Sequence, residues 1–187
     1  MTPFQKEHDH ESEGQRLNVF CLERTLYIFD EINSGSVCEA IRWLDALEGR
    51  SKKQPIEIIL NSGGGECYAG LSLYDRIRRL KCPNCIVGTG ICASMAYIIF
   101  LAGQNRYLMP NCILMNHQMS SNQGGRLEDL KIEVEECKRI EKVMVGIVSE
   151  RTGQTIKAIE KQISKGSDYI SPERAIKEGI AHKILSY

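Results

Sequence analysis

Short β-branched runs alternate along this chain with segments whose apolar residues recur at every third or fourth position. That alternation limits the possible folds more than any other feature. The runs at residues 17–21, 26–29, 56–60, 86–90, 106–109, 112–116 and 180–185 have the length of strands. Between them, Val37, Ile41, Leu44 and Leu47 share one helical face, as do Leu73, Ile77 and Leu80. Residues 95–102 read as an apolar helix. A long helix is predicted over residues 127–151, where Leu127, Leu130, Val134, Cys137, Ile140, Met144 and Ile147 repeat until Gly153 stops it. A short helix follows over residues 155–161, and another opens with Ser171 as N-cap and Pro172 as first helical residue and ends at Gly179. Strands alternating with helices imply an α/β domain with a largely parallel sheet. A chain of 187 residues suits one such domain, expected over residues 16–187 behind a polar, flexible arm at residues 1–15.

Composition narrows the function classes. Lys plus Arg and Asp plus Glu both number 24, so charge offers no ground for a nucleic-acid partner. The opening TPFQKEHDHESEGQ has no apolar core, and a secretory signal is not expected. The longest apolar stretch, residues 91–102, is too short to cross a bilayer, and no membrane role is expected. The eight cysteines then read as reduced thiols in a cytoplasmic protein. Cys82-Pro83-Asn84-Cys85 has CxxC spacing but no second pair, so a turn is preferred to a metal or redox site.

Three segments carry chemistry. Asn61-Ser62-Gly63-Gly64-Gly65 ends a strand in three glycines, whose unshielded N–H groups can hold an oxyanion; alone, it reads equally well as a tight turn. Gly90-Ile91-Cys92-Ala93-Ser94-Met95-Ala96-Tyr97 places Ser94 between a strand and an apolar helix. That position suits a nucleophile, or simply a helix N-cap. His117 follows the apolar run at a strand end, where α/β folds place functional groups, although a lone histidine there also serves structure.

Read together, these segments resemble the proteolytic subunit of the Clp protease family, within the ClpP/crotonase fold. Asn61-Ser62-Gly63-Gly64-Gly65 is similar to the family's Asn-Ser-Pro-Gly-Gly, and Ala69-Gly70 and Tyr74-Asp75 follow as they do in the family. Ala93-Ser94-Met95-Ala96 matches the segment that carries the family nucleophile, and Met115-Asn116-His117-Gln118 the one that carries its base. Thr152-Gly153-Gln154, Ser171, Ala175 and Gly179 match the C-terminal pattern, so the resemblance runs from about Leu17 to Leu185.

The resemblance implies stacked ββα units and a protruding "handle" helix from Leu127 on. It implies a serine endopeptidase in which Ser94 attacks, His117 is the base, and the N–H groups of Gly65 and Met95 form the oxyanion hole. Gly64, Gln118, Gly124 and Gly125 would bind the substrate backbone. It also implies a homo-oligomer, a heptamer or tetradecamer, acting on unfolded or short peptides. No cofactor is intrinsic; ATP would enter only through an AAA+ unfoldase, since the chain has no Walker motif.

Several positions depart from the family pattern. The family's acid would fall at Ser167, so Asp168, one residue later, is the candidate third member of the triad. Gly63 stands for a proline, and Tyr97 stands for a small residue beside the expected specificity pocket. Glu57 and Ile59 stand for aromatics that help dock the unfoldase. Two further readings stay open: a non-catalytic subunit of a mixed ring, and a crotonase-type acyl-CoA enzyme, which needs an oxyanion hole but no serine.

Overall fold

The computed structural model describes residues 19–120 and 124–186. The expected arm at residues 1–15 and the start of the strand expected at residues 17–21 lie outside them. An antiparallel hairpin, β1 (Val19–Leu22) and β2 (Thr25–Ile28), comes first. Helix α1 (Ser34–Arg50) follows, its start fixed by a capping box in which the Asn33 side chain accepts from the Gly35 and Ser36 amides. Then come β3 (Ile56–Ser62), α2 (Cys67–Arg78), β4 (Asn84–Ala93) and the short α3 (Met95–Phe100). The second half holds β5 (Asn105–Leu108), β6 (Ile113–Asn116), α4 (Leu127–Thr152), α5 (Ile156–Ile163), β7 (Asp168–Ile170), α6 (Pro172–Lys177) and β8 (Lys183–Ile184).

The strands join in one eight-stranded sheet, ordered β1-β2-β3-β4-β5-β8, with β6 on β4 and β7 on β6. It is parallel from β2 through β5 to β8 and antiparallel at the β1–β2 and β6–β7 pairs. Its core faces carry Ile56, Ile58 and Leu60 of β3, packed with Ala40, Leu44 and Leu47 of α1 and Leu73 and Ile77 of α2. Helix α3 is buried along its whole length. That explains why it is apolar on every side.

Strand β4 serves two partners in succession. Its first half pairs with β5 up to Gly88↔Leu108, and its second half pairs with β6 from Ile91↔Ile113 to Ala93↔Met115. The bend lies at Gly90, where φ is 53° and a Cβ would sit 2.7 Å from Asn61 Oδ1. Only glycine takes that conformation and that approach together without strain. The Asn61 side chain closes the gap by accepting from the Ile91 amide at 3.0 Å. The sequence reading ended this strand at residue 90; the bend carries it on to Ala93 and so to Ser94.

On the far side, Arg106 is 3% exposed and binds the carbonyls of Ile180, Arg151 and Gly179, tying α4 and the C-terminal segment to β5. Burial and the neighbouring Arg151 lower its pKa to about 10. The 26-residue α4 has two unlike halves. No residue from Leu127 to Arg139 is buried, whereas Ile140, Val145 and Val148 are. Among the described residues, no helix is long and apolar enough to cross a membrane, and no His, Cys, Asp and Glu cluster is arranged to hold a metal ion.

Candidate active site

Ser94 occupies the single residue between β4 and α3, with φ 55° and ψ −121°. Among the described residues only Glu23 and Ser94 have positive φ without being glycine. Such a conformation costs about 1–3 kcal/mol and persists only where its surroundings impose it. The hydroxyl makes no hydrogen bond that caps α3. The sharp turn instead lifts Oγ out of the sheet while the Ser94 amide stays on β6, donating to the Met115 carbonyl at 2.8 Å.

His117 lies two residues beyond Met115, so the β4–β6 pairing delivers both side chains to one point. Its Nε2 is 2.8 Å from Ser94 Oγ. Its Nδ1 is 2.6 Å from the Gln118 carbonyl oxygen. A carbonyl can only accept, so Nδ1 carries the proton and Nε2 presents a lone pair to the serine hydroxyl.

The two residues expected to supply backbone donors, Gly65 and Met95, line one cavity with Ser94 and His117. Ile32 forms a parallel bridge to Gly65: its amide donates to the Gly64 carbonyl, and its carbonyl accepts from the Glu66 amide. Gly65, between those two, therefore turns its own N–H to the other side. Met95 is the first residue of α3, where an amide has no intrahelical partner. Gly64 makes the close approach possible. It has φ 101°, and a Cβ there would sit 2.7 Å from both the Ala93 carbonyl and Ser94 Cβ. At Gly63 a Cβ would meet nothing, so the missing proline leaves no gap to fill.

Apolar walls come from Ile98, Met119, Met144 and Cys67. Cys67 Sγ lies 3.6 Å from Met119 Sδ. Burial, with a smaller effect from Cys137, pushes the Cys67 thiol up and so favours its protonated form. The Met119 amide donates to Glu141 Oε2 of α4 at 2.9 Å.

Two sequence expectations are corrected. Asp168 is not brought onto the imidazole: both its oxygens bind Arg174 of α6, at 2.5 and 2.8 Å. This contact, with that to Glu178, raises the Arg174 pKa above its ordinary value. Register gives the reason. Asp168 stands opposite Asn116 in the β6–β7 pair, so it shares a sheet face with Asn116, and His117 is one residue further on. Tyr97, in turn, does not shape the cleft. It is 1% exposed within the core, and burial raises its hydroxyl's pKa.

The expected substrate-binding residues divide. Gly64 abuts Ser94, Gln118 gives its carbonyl to His117, and Gly124 and Gly125 are exposed ahead of α4. Residues 121–123 between them lie outside the described residues.

A model of the Clp protease family matches residues 8–187. The chain belongs to the Clp protease family. In this member, the motifs read from sequence at Asn61–Gly65, Ala93–Ala96 and Met115–Gln118 all fall on the cavity around Ser94. Glu141 and the Gln118–Met119 peptide were missed by sequence reading. The readable signal was an acid at position 141, next to Ile140, on a stripe shared with Cys137, Met144 and Val148.

Proposed function

We propose that this Clp protease family protein is a serine endopeptidase that cuts unfolded or short peptides inside a ring chamber. The observation that carries the reading is the 2.8 Å approach of His117 Nε2 to Ser94 Oγ at a turn strained to expose that oxygen. Ser94 Oγ attacks the peptide carbonyl as Nε2 takes its proton, and the imidazolium then protonates the leaving amine. Negative charge on the former carbonyl oxygen falls to the amides of Gly65 and Met95; losing one such donor costs about 10²–10³ in rate. The chemistry calls for no intrinsic cofactor.

A crotonase-type reaction uses the amide donors but leaves the Ser94–His117 pair without a task. The non-catalytic reading gains from Asp168, whose carboxylate is committed to Arg174. Against it stands the Nδ1 partner at Gln118, which fixes the imidazole tautomer without an acid.

Assembly as a cytoplasmic heptamer or tetradecamer is part of the proposal. It is supported by the exposed apolar residues Leu127, Ile132 and Val134 on the unburied half of α4. An AAA+ unfoldase would find its aromatic contacts on the hairpin rather than on β3. Phe20 stacks on Tyr27 with ring centres 4.6 Å apart, and Phe29 meets Tyr27 edge-on at 6.0 Å.

The test is a fluorophosphonate probe with the adduct mapped by mass spectrometry. Labelling is expected at Ser94, absent in Ser94→Ala and strongly reduced in His117→Ala. An unlabelled Ser94 in the assembled protein would refute the peptidase reading.

A further inference from the structure

Strand β7 offers His117 no carboxylate, yet an acid from another element reaches the imidazole at one remove. Glu141 Oε2 accepts from the Met119 amide at 2.9 Å, and the Gln118 carbonyl accepts from His117 Nδ1 at 2.6 Å. The Gln118 carbonyl and the Met119 amide belong to one planar peptide group, with its oxygen and its hydrogen pointing in opposite directions. One end of that group is therefore on the imidazole and the other on a carboxylate.

We propose that Glu141 is a positioning residue for His117, acting through the peptide group between Gln118 and Met119. This rests on the reading of Ser94 as nucleophile and His117 as base. The carboxylate does two things at once. It pins the peptide, so that its oxygen stays where Nδ1–H needs it. Its negative charge at the N–H end also pushes electron density through the amide toward that oxygen, since hydrogen bonds in a chain polarise one another. As His117 takes the serine proton, positive charge on the ring is met by an oxygen already made more negative. A peptide polarised by Glu141 thus fills the place that a triad acid fills elsewhere.

The placement of Glu141 supports this. Cys137, Glu141, Met144 and Val148 lie at helical spacing on one stripe of α4. Glu141, Met144 and Val148 also line a small void with His117 and Asn116. Glu141 is half-buried on this stripe, and the partner its carboxylate has is the peptide next to His117. The Cys67–Met119 sulfur contact anchors the same segment from α2.

The experiment compares Glu141→Gln, which keeps an accepting oxygen but loses the charge, with Glu141→Ala, which loses both. Glu160→Gln, at an exposed position of α5, is the control. Turnover of a fluorogenic peptide and the fluorophosphonate labelling rate of Ser94 are measured on the assembled protein, with thermal melts alongside. We expect kcat and labelling rate to fall about threefold in the Gln variant and about tenfold in the Ala variant, with KM within about twofold and complete final labelling. The imidazole Nδ1 proton resonance should move upfield in the same order. A merely structural role would lower the melting temperature or the labelled fraction and leave the rate per active site unchanged. That outcome overturns the proposal, as does a Gln variant that matches the wild type in every readout. Absence of Ser94 labelling in the wild type would overturn the peptidase reading and this one together, whereas normal labelling with insensitive Glu141 variants overturns this one alone.

Discussion

The strain at Ser94 can be measured by comparing two substitutions that both delete the hydroxyl. Ser94→Ala and Ser94→Gly each remove the contact to His117, so that loss cancels between them. What remains is the backbone. At φ 55° and ψ −121° the alanine keeps the steric penalty, while the glycine escapes it. Relief of a conformation of this kind is worth about 1–3 kcal/mol. Against it, the extra freedom of an unfolded glycine costs about 0.4–1 kcal/mol. At the midpoints of these ranges the difference favours glycine by about 1.3 kcal/mol. For a chain of this length, 1 kcal/mol moves Tm by about 2–4 °C, so Ser94→Gly should melt roughly 3–5 °C above Ser94→Ala. The assay is thermal unfolding of both variants at one protein concentration and in one assembly state, checked by urea titration. A glycine variant equal to or less stable than the alanine variant would show that the turn is unstrained. The argument that the fold holds Ser94 in place for chemistry rather than for packing would then fail.

Two further outcomes follow from the same geometry. Asp168→Asn should lower stability by about 1 kcal/mol through the loss of its bidentate, partly exposed ion pair with Arg174, and should change kcat less than about twofold; a fall near the 10⁴-fold seen when a triad acid is neutralised would restore Asp168 to the site. Partial desolvation of the otherwise exposed His182, with the nearby Arg106 and Arg151, lowers its pKa from 6.5. Its Nδ1 accepts from the Arg106 amide at 3.1 Å. Below pH 6.5 the unfolded chain therefore binds a proton that the folded chain refuses, and stability falls as pH drops toward the folded-state pKa. Urea titrations from about pH 7.5 to 5 should show a shallower decline in His182→Gln than in the wild type, and equal slopes would remove His182 as the source.

Most of the fold was legible because its elements announce themselves locally. The apolar stripes of α1 and α2, the Ser171-Pro172 start of α6 and the Gly153 stop of α4 are short-range signals, and the structure keeps them. The features that escaped are the ones set by pairing. Strand β7 has three residues and exists because β6 offers an antiparallel edge. The last three residues of β4 follow a bend whose cause, the Asn61 side chain against Gly90, lies 29 positions away in sequence. Helix α3 ends at Phe100, and the strand expected over residues 180–185 shrinks to Lys183–Ile184, with the Ile180 carbonyl taken by the Arg106 side chain.

The candidate site divides along the same line. Ser94 and His117 were readable because each stands at the end of a strand, and two adjacent strand ends need only one register to meet. An acid on β7 needs a second register, and there the side-chain period of two is unforgiving: a shift of one residue sends a carboxylate to the opposite face. Asp168 is on the face of Asn116, and Arg174 is there to neutralise it. The sequence difference between an acid at position 167 and one at position 168 is small, but the physical difference is a change of partner. What the imidazole needs from a third group is an acceptor at Nδ1, and the Gln118 carbonyl meets that need from within the base's own segment. Its precision then depends on whatever holds residues 118 and 119 still, and that task falls to α2 and α4 through Cys67 and Glu141. Helix α4 therefore links the Ser94–His117 cavity to the exposed apolar half of the same helix. Any contact that orders residues 127–139 acts on the helix from which Glu141 accepts from the Met119 amide.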